Sequence, residues 1–178
     1  MTDVLERHEM GLREFLAREP FLLHPDRDRI RLFQSAFAHD SFTEEHNKKT
    51  VHPMASYERL EFLGDAVLEF IVCDAAYGLP QLGDEGSLTN DFKQKAVSNA
   101  KIAEYVRSAG LDLDSHMLVG NSFSAKNGDR INDDMRSDVF EALLAAVYLT
   151  YGLECARRIV SKIILDPLVS SLEHGQDE

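Results

Sequence analysis

Apolar positions recur along this chain at three- and four-residue steps, the period of helices packed on a shared core. The first such stretch covers residues 4–18, with Val4, Leu5, Met10, Leu12, Phe15 and Leu16, and stops before Pro20. Pro25 suits the first turn of a second helix, predicted over about 26–42 with Ile30, Leu32, Phe33, Ala36 and Phe37 inward. A polar loop at 43–50 follows and ends near Pro53. The strongest pattern comes next. Leu60, Leu63, Val67 and Ile71 line one side of a helix that Ser56 can cap and that Gly78 and Pro80 stop after about Tyr77. Beyond a turn at 83–86, Ser87 or Thr89 can cap a helical region through Phe92, Val97, Ile102 and Val106 to Gly110, divided at Ser98-Asn99. Residues 114–132 are the least periodic, with a turn signal at Asn127-Gly128. Asp133 or Asp134 opens another strong helix, with Met135, Val139, Phe140, Leu143, Leu144 and Val147, ending near Gly152. The last helix, Leu153 to Leu172, should kink or break at Pro167, ahead of a frayed acidic tail at 173–178. Strand patterns are nearly absent. The prediction is an all-α bundle of about seven helices in one domain over 1–172.

Two of these helices carry an unusual polar edge. Glu58, Glu61 and Asp65 are spaced three and four apart, so they share a helix face with neighbours roughly 6 Å apart. Like charges at that spacing repel, and Arg59 projects elsewhere. Asp138 and Glu141 repeat the arrangement beside the densest apolar run of the chain. Paired acids often form no more than a solvated face. Two pairs on the two most apolar helices would converge if those helices pack side by side, an oxygen-only donor set suited to Mg²⁺ or Mn²⁺. Gly64, inside the first acidic helix, costs about 1 kcal/mol against alanine, which the close approach of another backbone or a ligand would offset.

Composition narrows the classes. The chain has 178 residues, 44% of them hydrophobic, enough for one real core. It has no run of eighteen apolar residues and no basic-apolar-small order at its start, so neither a membrane span nor a signal peptide is expected. Cys73 and Cys155 lie in apolar helical patterns without metal spacing, as reduced core residues of a cytoplasmic protein would. The net charge of -12 argues against gripping nucleic acid by bulk electrostatics.

Glu58-Arg59-Leu60-Glu61-Phe62-Leu63-Gly64-Asp65-Ala66-Val67-Leu68 resembles, position for position, the signature stretch of the ribonuclease III family. Ala36-Phe37-Ala38-His39-Asp40-Ser41 is similar to the family's upstream histidine segment, Asp84-Glu85-Gly86 to its acidic turn, Val97-Ser98-Asn99 and Ala103-Glu104 to its following helices, and Asp138-Val139-Phe140-Glu141-Ala142 to its second catalytic stretch. The likeness covers roughly 28–160, and the chain stops near where the family's double-stranded-RNA-binding domain would begin, so a stand-alone catalytic domain is expected.

The resemblance implies the family's helical endonuclease fold and an endoribonuclease that cuts duplex RNA as a homodimer. It places the catalytic, metal-binding carboxylates on Glu61, Asp65, Asp138 and Glu141, with Mg²⁺ activating a water (Mn²⁺ able to substitute) and 5′-phosphate and 3′-hydroxyl ends as products. Glu58 and Glu85 match secondary acidic positions. Phe62 matches an aromatic that plugs into the partner subunit; a plain core phenylalanine is the alternative. Lys93, Lys95, Lys126 and Arg130 are candidate contacts to RNA phosphates, and the acidic balance leaves room for a helper RNA-binding protein. Three departures stand out: Asp40 after the histidine, Asn132-Asp133-Asp134 before the second acid pair, and one added residue between Thr89 and Phe92. A reading of a different class is a non-catalytic RNA-binding or ribosome-associated module of the same fold. A third, a phosphohydrolase built on His39-Asp40, lacks further spaced ligands.

Overall fold

The computed structural model describes residues 2–121, 123 and 130–174. Its helices are α1 (Thr2–Leu16), α2 (Ile30–Ala36), α3 (Asp40–Asn47), α4 (Glu58–Tyr77), α5 (Gln94–Val97), α6 (Asn99–Ser108), α7 (Asp133–Tyr151), α8 (Leu153–Val160) and α9 (Asp166–His174). The bundle is all-α, as the periodicity predicts, and among the described residues the one extended pairing is a bridge between Ala38 and Leu118. No helix among them is long and apolar enough to cross a membrane.

α7 is the axis of the molecule. Every residue from Val139 to Val147 is buried, including Glu141, because the helix is apolar on all sides and is wrapped by α2, α4, α6 and α8. Ala142, Ala145 and Ala146 keep it slim enough for close neighbours. Its start is set by Asn132, whose side chain accepts a hydrogen bond from the Met135 N–H at 2.9 Å, with Asp133 and Asp134 in the first turn complementing the helix dipole. Gly152, at φ +84°, ends it.

α4 packs along α7 and buries Leu60, Val67, Leu68, Ile71, Val72 and Ala76. Gly64 sets their separation. A methyl group on its Cα would overlap the backbone carbonyl of Glu141, so the two helices touch main chain to main chain at this point. The close approach expected of Gly64 is therefore present, and its partner is a backbone.

Several sequence expectations are corrected. The helix predicted over 26–42 is two helices. Asp26 accepts hydrogen bonds from the backbone of Asp28 and Arg29 in a turn, and α2 does not begin until Ile30. It ends at Ala36 because Leu118 donates to the Phe37 carbonyl (2.8 Å) and accepts from the His39 N–H (2.9 Å). That tertiary pairing holds His39 extended, where its ring caps α3, so much of the expected polar loop is helix up to Asn47. Ser56 does not cap α4, which begins after Tyr57 with no side-chain cap.

Asp84, rather than Ser87 or Thr89, caps the next segment by accepting from the Ser87 N–H. Ser87–Lys93 is π-helical, a winding that takes up one more residue per turn and so absorbs the added residue between Thr89 and Phe92. The break at Ser98 is present, with extended backbone. A second π-helical segment, Ser161–Leu165, widens the last helix just ahead of Pro167 and lets it continue into α9 without the predicted break. Cys73 is exposed rather than in the core. The Asn127-Gly128 turn and the last four tail residues lie outside the described residues.

Candidate metal centre

The Gly64–Glu141 contact decides the site. It brings the acidic edge of α4 against the middle of α7, so that one carboxylate oxygen each from Glu61, Asp138 and Glu141 lie within 4.8 Å of one another. Asp65 is exposed one turn along α4, outside this triangle. It is still the strongest charge acting on Glu141.

Burial and mutual repulsion dominate the electrostatics. Glu141 is 6% exposed, and burial, followed by the charges of Asp65, Asp138, Glu61 and Glu69, pushes its carboxyl up to about 8. Burial, then Glu61 and Asp134, pushes Asp138 up to about 6. Glu61 is raised by burial, then Glu58 and Asp65. Asp65 is raised by burial and Glu69, against which Lys93 acts. Among the described residues no lysine or arginine pairs with Glu61, Asp138 or Glu141. An oxygen-only set with one buried, uncompensated carboxylate fits a hard divalent cation, which would reverse each of these shifts.

This arrangement should make metal-free stability fall with pH. Glu141 holds its proton to about 8 when folded and to about 4.5 when unfolded. Between those values the native state binds more protons, so rising pH favours unfolding through that window. In chelator, the melting temperature should fall steadily from pH 5 to 8, and Mg²⁺ should restore it at pH 8. A flat profile in chelator would mean that a group inside the protein already compensates Glu141.

A family model described as Ribonuclease-III-like matches residues 29–168. The chain is 35% identical over 171 residues to a protein named Ribonuclease 3 of Nitrosococcus oceani, covering 94% of this chain and 61% of that protein. A Ribonuclease 3 of Pelotomaculum thermopropionicum is 37% identical over 147 residues, covering 83% and 58%. The chain belongs to the ribonuclease-III-like family. It spans about three fifths of the length of these relatives. The nuclease domain of ribonuclease III from Campylobacter jejuni superposes with a TM-score of 0.65 at 28% identity, over 84% of this chain and 96% of that one. That structure is described as showing structural flexibility in a region involved in dimer formation.

Against this ribonuclease-III-like frame, the remaining predicted residues fall into place unevenly. Glu58 is exposed at the start of α4, and Glu85 is exposed just ahead of the π-helical segment. Lys93, from the end of that segment, is held 2.9 Å from Glu69 beside Asp65. Lys95 is exposed. Arg130 is exposed and donates to the Val119 and Gly120 carbonyls, and Lys126 lies outside the described residues. His39 caps α3, its Nδ1 lying 3.1 Å from the Ser41 N–H and 2.7 Å from Asp40 Oδ1, and among the described residues it joins no cluster of potential metal ligands. Of the departures, Asn132 caps α7 and Asp133 is bound by Arg107 and Arg136, leaving Asp134 as the one that faces Asp138 electrostatically.

Two features escaped the sequence reading, which singled out Phe62 but not the stripe around it. Phe62 is 83% exposed, Phe70 53% and Tyr77 87%, and with Ala66 and Cys73 they make an uncovered apolar stripe on α4. Its steps of four, four, three and four residues are visible in the sequence once the outer face is scanned. The second is Tyr57. Burial, then the charges of Asp138, Glu61 and Asp40, push its phenol up, so the hydroxyl keeps its proton and donates to Asp138 Oδ2 at 3.4 Å.

Proposed function

We propose that this chain is a metal-dependent endoribonuclease that cuts double-stranded RNA as a homodimer, with Glu61, Asp65, Asp138 and Glu141 as its catalytic carboxylates. The observation that carries the reading is the convergence of Glu61, Asp138 and Glu141 from two helices onto one small volume. These residues would hold a divalent cation, most simply Mg²⁺, which when bound supplies a Lewis acid for the phosphoryl oxygens and makes a coordinated water more acidic. The chain does the positioning. Glu141, fixed in the buried helix, anchors the site, while the half-buried Glu61 and exposed Asp65 form the rim that a phosphate reaches. A water attacks phosphorus in line, the bond to the 3′ oxygen breaks, and 3′-hydroxyl and 5′-phosphate ends remain. Lys93, steadied by Glu69, offers an ammonium group to the backbone phosphates.

The apolar stripe on α4 supports the homodimer. Three exposed aromatics in a row on one helix face are a liability for an isolated chain, and a second copy of the same helix covers them symmetrically. The dimer-forming region named for the Campylobacter jejuni nuclease domain fits that reading. A Phe62→Ala/Phe70→Ala variant should shift the protein from dimer to monomer in sedimentation, with the helical signal retained. A monomeric parent would contradict the dimer.

The substrate is tested with one labelled strand presented alone or annealed to its complement, at low salt because an acidic protein should hold RNA weakly. Cutting is expected in the duplex only. Equal degradation of the single strand would overturn the duplex preference, and duplex binding without cutting would favour the non-catalytic module.

A further inference from the structure

Tyr57 sits where three parts of the fold meet. Its N–H donates to the Ala38 carbonyl at 2.9 Å, beside the bridge to Leu118, and its own carbonyl accepts from Leu60 and Glu61, the first turn of α4. Its ring, 5% exposed, lies edge-on to His39 with centroids 5.7 Å apart, and His39 is itself pinned by Ser41. Backbone and ring are thus held from several sides, and the hydroxyl has little freedom. A buried hydroxyl needs a partner, and this one points at Asp138 Oδ2, 3.4 Å away.

We propose that Tyr57 is a positioning residue for Asp138: its hydroxyl holds one carboxylate oxygen and leaves the other for the cation. The proposal rests on the metal-site reading above. Without the hydroxyl, Asp138 would lose the donor that opposes the charges of Glu61, Glu141 and Asp134. At 3.4 Å the bond is longer than an ordinary O–H···O hydrogen bond. Partners one step behind a metal ligand typically contribute ten- to hundredfold to metal affinity.

The test is calorimetric titration of Mn²⁺ and of Mg²⁺, without RNA, into the parent, Tyr57→Phe and Asp138→Asn, with unfolding measured in chelator. Tyr57→Phe should bind metal about tenfold more weakly, with its chelator melting temperature within a few degrees of the parent. In cleavage, its loss should appear in kcat at limiting Mg²⁺, disappear as Mg²⁺ is raised, and leave KM for duplex RNA unchanged. Parent-like metal affinity in Tyr57→Phe, while Asp138→Asn loses binding, overturns the role of Tyr57 and leaves the site intact. A parent that binds no metal overturns the site and this role together. A Tyr57→Phe protein whose melting temperature collapses along with its affinity makes Tyr57 a packing residue, and also overturns the proposal.

Discussion

Glu141→Gln is expected to abolish cleavage and, in the absence of metal, to make the protein more stable at pH 8. The two effects have one cause. Glu141 is buried in the helix against which α2, α4, α6 and α8 pack, and among the described residues no base compensates its charge. Ionising it in the folded state is therefore costly, which is why its carboxyl is pushed up to about 8. The amide has nearly the same shape and no charge, so it removes the cost without opening a cavity. Since one unit of pKa is about 1.4 kcal/mol, the gain at pH 8 should be on the order of a few kcal/mol. For a chain of this length each kcal/mol moves the melting temperature by about 2–4 °C. At pH 5, where the folded carboxyl is protonated and only the unfolded one has begun to ionise, the difference should shrink to about 1 kcal/mol or less. The same change removes the anionic oxygen that a cation needs, so Mg²⁺ should no longer raise the melting temperature and cleavage should fall by about a hundredfold or more, beyond what an outer partner of a metal costs. Melting curves in chelator and in Mg²⁺ at both pH values check this. A variant less stable than the parent at pH 8 would contradict it.

Gly64→Ala should be the most damaging small substitution in the chain. In an open helix the exchange would add about 1 kcal/mol of stability. Here the new methyl group meets the Glu141 carbonyl, which has no rotamer to change, so α4 and α7 must move apart. Overpacking of that kind costs about 1–3 kcal/mol and sometimes more, and the lost propensity gain adds to the swing from the expected sign. Separating the helices also draws Glu61 away from Asp138 and Glu141, so metal affinity should fall alongside stability. Gly83→Ala is the control, because nothing lies within 4 Å of a Cβ there. Urea unfolding of both variants decides it. A Gly64→Ala protein as stable as Gly83→Ala would contradict main-chain contact at this position.

The site was more legible in the sequence than the path of the chain around it. Acid spacing depends on local helix geometry alone, so Glu61 with Asp65 and Asp138 with Glu141 could be paired before their helices were seen together, although Asp65 lies outside the triangle that the fold closes. Gly64 was legible for a similar reason, since a mid-helix glycine is a local cost that needs an external cause. The division between α2 and α3 was not legible. Residues 30–42 keep a helical apolar period, and what breaks them is a backbone pairing with Leu118, far away in sequence. The two π-helical segments were hidden too, although the added residue before Phe92 marked one of them. Phe62 was singled out while Phe70 and Tyr77 were not, because attention to the inward stripe of α4 leaves its outer stripe unread. Tyr57 carries no spacing signal at all. Its meaning depends on Asp138, which only the fold brings within reach.

The central claim is that the carboxylates gathered by α4 and α7 form a metal-dependent reaction centre for duplex RNA. Its most direct test is single-turnover cleavage of an end-labelled RNA duplex at low salt, in Mg²⁺, in Mn²⁺ and in chelator. Cutting of both strands in either metal, none in chelator, and 5′-phosphate on the products are the predicted results. An intact duplex in both metals, or equal cutting in chelator, would contradict the claim.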